Sequence, residues 1–202
     1  MGNIEHFNKM AAGYDSPERQ QVAAIIAAAI RELLADGRNK TAIDYGCGTG
    51  LVGLQLLNDF KRIIFIDGSS QMVEELEQKI KRLQIPAAKA EVLCLNLEEE
   101  SAPPLQADYI MVVQTLLHIK NYQSVLMALA AMLKQDGHLI IVDFNKNEAV
   151  SSDLVHNGFE QVQLINQLKD LSFKQVSGKT FYEGANLFMK QAASLFIVDA
   201  IK

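Results

Sequence analysis

Five short apolar runs alternate with segments of helical spacing: Thr41 to Tyr45, Arg62 to Asp67, Glu91 to Leu95, Asp108 to Gln114 and His138 to Phe144. Runs such as RIIFID and HLIIVDF are apolar almost throughout, as expected of strands buried on both faces of a parallel sheet. Parallel neighbours cannot be joined by a tight hairpin, so each connection must be a crossover, and each crossover helix must bury one stripe. The alternation therefore predicts an α/β chain with a doubly wound, mostly parallel sheet covered by helices on both faces.

The connecting segments carry their own signals. Ser16 is placed to cap a helix with Pro17 at its first position, running to Ala35 before Asp36-Gly37 stops it. Leu51 to Phe60 reads as a helix after a glycine-rich turn. Ser69 or Ser70 caps another from Gln71 to about Leu83, and Asn121 one that continues through Lys134. Beyond Phe144 the rhythm changes. Val162, Ile165, Leu168 and Leu171 recur at every third position and predict a helix, while Phe173 to Tyr182 and Ser194 to Ile201 predict strands with no crossover-length helix between them. Those two strands are expected to pair as an antiparallel hairpin at one edge.

Bulk properties remove several function classes. A length of 202 residues suits one domain with a sizeable core. A net charge of −5 offers no broad basic footprint for a nucleic acid. The longest apolar run, Val22 to Ile30, ends at Arg31, well short of the ~20 residues that cross a bilayer. Cys47 and Cys94 are too few for a disulfide framework and are not spaced for a metal, so no metal is expected and a cytoplasmic location is.

The stretch AIDYGCGTG, residues 42–50, places an aspartate near the end of the first strand and glycine at every second position after it. Glycines are entropically costly, and a cluster at a strand's carboxyl end lets the backbone bend sharply and approach a ligand. In an open parallel sheet, ligands bind at this end. Two frames fit. Gly48-Thr49-Gly50-Leu51-Val52-Gly53 spells the G-x-G-x-x-G dinucleotide fingerprint, with Asp67 at about the ~20-residue spacing of a ribose-binding acid. The earlier frame, Gly46-Cys47-Gly48-Thr49-Gly50 preceded by Asp44, resembles the first motif of class I S-adenosylmethionine-dependent methyltransferases. A carboxylate there repels a diphosphate but suits a sulfonium and an amine, so Asp44 favours the second frame.

The resemblance extends along most of the chain. Phe7 to Asp15 (FNKMAAGYD) resembles the amino-terminal F-x-x-x-A-x-x-Y-D segment of small-molecule methyltransferases related to quinone-biosynthesis enzymes, and implies that Tyr14 lies near the cofactor. Ile66 to Met72 resembles the second motif, implying that Asp67 takes both ribose hydroxyls and that Gly68 and Met72 lie near the nucleoside. Asn96-Leu97 stands at the third motif, where relatives usually carry aspartate; the Asn96 amide oxygen can still accept from the adenine amine. Asp108 to Ile119 resembles the fourth strand and its substrate-side turn, with Gln114 beside the cofactor and His118 the candidate general base. Leu133 to His138 stands where relatives often have L-K-P-G-G, and His156 to Phe159 and Leu171 to Phe173 echo the closing helix and sixth strand.

The resemblance implies a Rossmann-like, seven-stranded sheet in three α/β/α layers. It divides one domain into a cap segment and helix (1–36), a cofactor-binding core (40–144) and a substrate-side and hairpin region (145–202). The implied reaction moves a methyl group from S-adenosylmethionine to a small-molecule acceptor, leaving S-adenosylhomocysteine. The implied cofactor contacts are Tyr14, Asp44, Gly46, Cys47, Gly48, Thr49, Gly50, Asp67, Gly68, Met72, Asn96, Leu97 and Gln114. A monomer or homodimer is expected. An NAD(P)-dependent oxidoreductase and a non-catalytic S-adenosylmethionine-binding protein are the alternatives.

Overall fold

The computed structural model describes residues 2–152 and 154–202. They fall into two compact units, one up to Ser101 and one from Ala102.

In the first unit, helix α1 (Gly2–Met10) precedes α2 (Pro17–Arg31). The Ser16 hydroxyl accepts the Arg19 N–H at 3.3 Å and Pro17 opens the first turn of α2, as the capping pattern requires. Strands β1 (Thr41–Tyr45), β2 (Arg62–Asp67) and β3 (Ala90–Cys94) pair in parallel, with Asp44 opposite Phe65 and Asp67 opposite Cys94. Between β2 and β3, α3 (Ser70–Arg82) starts from Ser69, whose hydroxyl accepts the Met72 N–H at 3.2 Å, and buries Met72, Val73 and Leu76.

In the second unit, β4 (Ala107–Val113) lies parallel to β5 (Leu133–Phe144), with α4 (Tyr122–Met132) as the crossover. After α5 (Gln161–Asp170), β6 (Gln175–Phe188) and β7 (Gln191–Ile201) form the expected antiparallel hairpin. It closes at Met189 and Lys190, both in the left-handed region, and β7 pairs antiparallel to β5. The strand order in the sheet is β3-β2-β1-β4-β5-β7-β6. This is the Rossmann-like α/β arrangement expected from the sequence, mostly parallel with an antiparallel edge pair.

Several local expectations are corrected. Leu51 to Phe60 is not an α-helix; only Gly53–Leu56 forms a short 3-10 turn. Gly50 is left-handed, at φ 80°, and a Cβ on Gly53 would collide with the Asp44 carboxylate and the Phe65 ring. Glycine at 53 thus serves close packing and weakens a helix there by about 1 kcal/mol. Helix α4 stops at Met132, and Leu133 to Gly137 join β5; the Lys202 ammonium donates to the Ala130 and Leu133 carbonyls at 2.7 Å each, occupying acceptors at the helix end. In α5 the three-residue spacing holds at Leu168, which is buried, but fails at Val162, which is 70% exposed; Leu164, outside that spacing, is buried.

Candidate active site

The glycine turn leaves β1 by a sharp left-handed path, with φ of 71°, 53° and 80° at Gly46, Gly48 and Gly50. A side chain at these positions would be strained, which explains the alternate-glycine spacing. The Gly46 and Cys47 N–H groups both donate to the Ile66 carbonyl, at 2.7 and 3.1 Å, so the turn is hung on β2. Cys47 is buried, and burial pushes its thiol well above the ordinary range, which leaves it inert as a nucleophile.

Asp67 fastens the other side. Its Oδ2 accepts the Gly48 N–H at 2.7 Å and its Oδ1 the Ser69 N–H at 2.8 Å. Each carboxylate oxygen has room for a second donor, so a vicinal diol can bind without displacing either contact. Asp44 is 2% exposed, with the Gly53 N–H as its backbone donor. Burial, then the Asp67 charge, pushes its carboxyl up to about 7. Burial raises Asp67 as well. Among the described residues, no lysine or arginine forms a salt bridge with either acid.

The amino-terminal segment closes over this turn. The Tyr14 ring lies 4.0 Å from where a Gly48 Cβ would stand, packs edge-on against Phe7, and carries the Arg19 guanidinium 4.4 Å above it. Burial raises the Tyr14 hydroxyl, and Asp67 adds to the rise. Asp15 accepts from the Thr49 hydroxyl and forms an ion pair with Lys79 of α3, while Lys79 donates to the Thr49 carbonyl at 2.7 Å. Asn8 of α1 accepts from the Ser69 hydroxyl at 2.7 Å. Asn8 and Lys79 were not anticipated from the sequence. Asn8 reaches Ser69 across 61 residues, and Lys79 reaches Thr49 and Asp15 across 30 and 64, and no local pattern encodes such pairings.

At the end of β3, the Asn96 amide oxygen accepts the Glu98 N–H at 3.0 Å and so retains one lone pair. The Leu97 N–H donates to the Tyr45 hydroxyl at 3.3 Å. Gly68 approaches Ile4 of α1, whose Cδ1 lies 3.2 Å from a virtual Cβ, and Met72 is buried in the core of this unit. The structure thus gathers the glycine turn, Asp44, Asp67 and Tyr14 into one cluster.

Gln114 and His118 belong to the second unit. Gln114 turns left-handed at φ 48° just past β4, with its N–H on the Val142 carbonyl at 2.7 Å. His118 ends a short 3-10 turn, Leu116–His118. That turn is held by Asp143 of β5, a residue the sequence reading passed over. Asp143 is 0% exposed, accepts the Phe144 and Leu117 N–H groups at 2.8 and 3.2 Å and that of Leu116, and is raised by burial to about 7. An acid at the end of an apolar strand was the available signal, the same one that marked Asp44.

Among the described residues no group of histidines, cysteines and acids is arranged to hold a metal, and no helix is long and apolar enough to cross a membrane. The arrangement suits a ligand with a diol and a positive charge. The turn leads into a short 3-10 segment, Gly53–Leu56, and the Leu54 N–H donates to the Gly50 carbonyl at 3.0 Å.

Comparison with known proteins identifies the family. A family model described as a methyltransferase domain matches residues 18–181. An uncharacterised methyltransferase of Schizosaccharomyces pombe is 26% identical, over 94% of this chain and 84% of its own length. The (S)-coclaurine N-methyltransferase of Papaver somniferum is 29% identical over 68% of this chain, which spans only 40% of that relative. The crystal structure of a SAM dependent methyltransferase from Aquifex aeolicus superposes with a TM-score of 0.71 at 18% identity, covering 96% of this chain and 97% of its own.

Proposed function

Because the chain belongs to the methyltransferase-domain family, we propose that it transfers the methyl group of S-adenosylmethionine to a small-molecule acceptor, as one domain working in the cytoplasm. The observation that carries the reading is the pair of buried carboxylates, Asp44 and Asp67, which lack a basic salt-bridge partner among the described residues. A cationic cofactor supplies the positive partner that neither Asp44 nor Asp67 has among the described residues, whereas a diphosphate would add to the repulsion.

In this reading Asp67 holds the ribose hydroxyls through its remaining lone pairs, and Asp44 faces the cationic end. The backbone of Gly46, Cys47, Gly48, Thr49 and Gly50 wraps the amino-acid portion under Tyr14. Gly68, Met72, Asn96 and Leu97 border the nucleoside, Gln114 lies beside the cofactor, and His118 receives the acceptor's proton.

The cofactor supplies an electrophilic methyl group on a sulfonium, whose sulfur keeps the electron pair of the broken bond as the acceptor atom bonds to carbon. What the protein adds is alignment, which can contribute roughly 7–11 kcal/mol, with a general base contributing about 10²–10⁴-fold in rate. The test is calorimetric titration with S-adenosylmethionine, S-adenosylhomocysteine and NAD, followed by transfer of labelled methyl into a metabolite extract. Saturable binding of the first two and a labelled small molecule are expected. Binding of NAD alone overturns the proposal.

A further inference from the structure

Lys79 creates an electrostatic problem that the site must solve. It reaches from α3 to the glycine turn, its side chain 14% exposed and its ammonium 2.7 Å from the Thr49 carbonyl. If this turn receives a cationic ligand, an ammonium on its backbone opposes binding. Charges interact over a Debye length of about 8 Å at physiological ionic strength, and a partly buried charge is screened less than an exposed one. Asp15 is the group that answers it. Its carboxylate pairs with the Lys79 ammonium and accepts from the hydroxyl of Thr49, the residue whose carbonyl Lys79 holds.

We propose that Asp15 and Lys79 form a charge-balanced clamp that fixes the amino-terminal segment to the glycine turn while keeping an uncompensated lysine charge from tilting the turn away from S-adenosylmethionine and toward S-adenosylhomocysteine. The inference rests on the cofactor reading above. The methylated cofactor carries a positive sulfur and the product a neutral one, so any net charge left on the clamp acts on the first and hardly on the second. A balanced clamp fixes the amino-terminal segment to the turn without biasing the exchange of cofactor for product. Asp15 and Lys79 are therefore positioning residues whose charges cancel, with no part in the chemical step.

A merely structural role makes a different forecast. Loosening the turn would weaken both ligands together and leave their ratio unchanged. The clamp requires the ratio to move in opposite directions when opposite charges are removed. Asp15→Asn leaves the Lys79 charge uncompensated and should lower the ratio of S-adenosylmethionine to S-adenosylhomocysteine affinity by about 3- to 10-fold. Lys79→Met leaves the Asp15 charge uncompensated and should raise it, and the double variant should return it to the wild-type value.

The experiment is calorimetric titration of the wild type and all three variants with both ligands, with thermal unfolding as the check on folding. Opposite shifts restored in the double variant support the clamp. Equal weakening of both ligands, or shifts in the same direction, overturns it. Should one single variant fail to fold, the sign of the shift in the other still decides. Failure of the wild type to bind either ligand overturns the cofactor reading itself, an outcome distinct from binding with an unmoved ratio.

Discussion

Asp44 and Asp143 hold equivalent places, each the last residue but one of its strand, β1 and β5. Both are buried, at 2% and 0% exposure, and burial raises both carboxyls to about 7. Their surroundings differ. Asp143 accepts from three backbone N–H groups, two of them in the turn after β4. Asp44 has the N–H of Gly53 as its backbone donor and a second carboxylate, Asp67, for a neighbour. A buried acid surrounded by donors is scaffold, because its desolvation is compensated inside the protein. One short of donors and facing another acid is complete only when a positive ligand arrives.

The sharpest way to break this contrast is Asp143→Ala. It strands three buried N–H groups at about 1–3 kcal/mol each, so a loss of at least about 3 kcal/mol is expected in denaturant unfolding. Affinity for S-adenosylhomocysteine should stay close to wild type. A variant of normal stability that binds the product poorly would exchange the roles of the two acids. Next in size is Asp67→Ala, which removes hydrogen bonds to a charged group worth about 1.5–3 kcal/mol, or roughly 10- to 150-fold in the dissociation constant measured by calorimetry. Unchanged affinity would remove Asp67 from the ribose. Asp44→Asn should be smaller still: about tenfold weaker S-adenosylmethionine binding, the worth of one pKa unit, with stability held or raised as the repulsion from Asp67 disappears.

The two regions were also unequally legible in the sequence. Around β1 and β2 the information is local: a glycine at each left-handed position, an acid ending an apolar run, and a serine one residue before its helix. Backbone geometry permits few residues at such places, so Asp44, Gly46, Gly48, Gly50 and Asp67 could be named together. The segment after the turn misled because Gly53 is glycine for the sake of a carboxylate and an aromatic ring that are near only in space. The α5 pattern misled at one position, because Leu164 and Leu168 lie one helical turn apart and packing chose Leu164 over Val162 as the partner of Leu168. Asn8, Asp15, Lys79 and Asp143 act through partners 26 to 64 residues distant, where spacing carries no signal. Strands β1, β2, β4, β5 and β7 were legible because burial imposes continuous apolar runs on them.

The smallest effect is the most discriminating, since it separates the two acids by the sign of a pH dependence. Unfolded, each carboxyl loses its proton near 3.8; folded, near 7. Between these values the folded chain binds more protons than the unfolded one, so both acids make stability fall as pH rises through the window. Binding of S-adenosylmethionine runs the other way for Asp44 alone. The ionised carboxylate is the form that attracts the cation, so affinity should rise with pH and level off above about 7, with proton release seen as a dependence of binding heat on the buffer's ionisation enthalpy. Asp44→Asn should abolish the carboxylate's share of that slope, whereas a variant at Asp143 should keep it. A slope that survives Asp44→Asn in full would mean the proton leaves from elsewhere, and Asp44 would join Asp143 as scaffold.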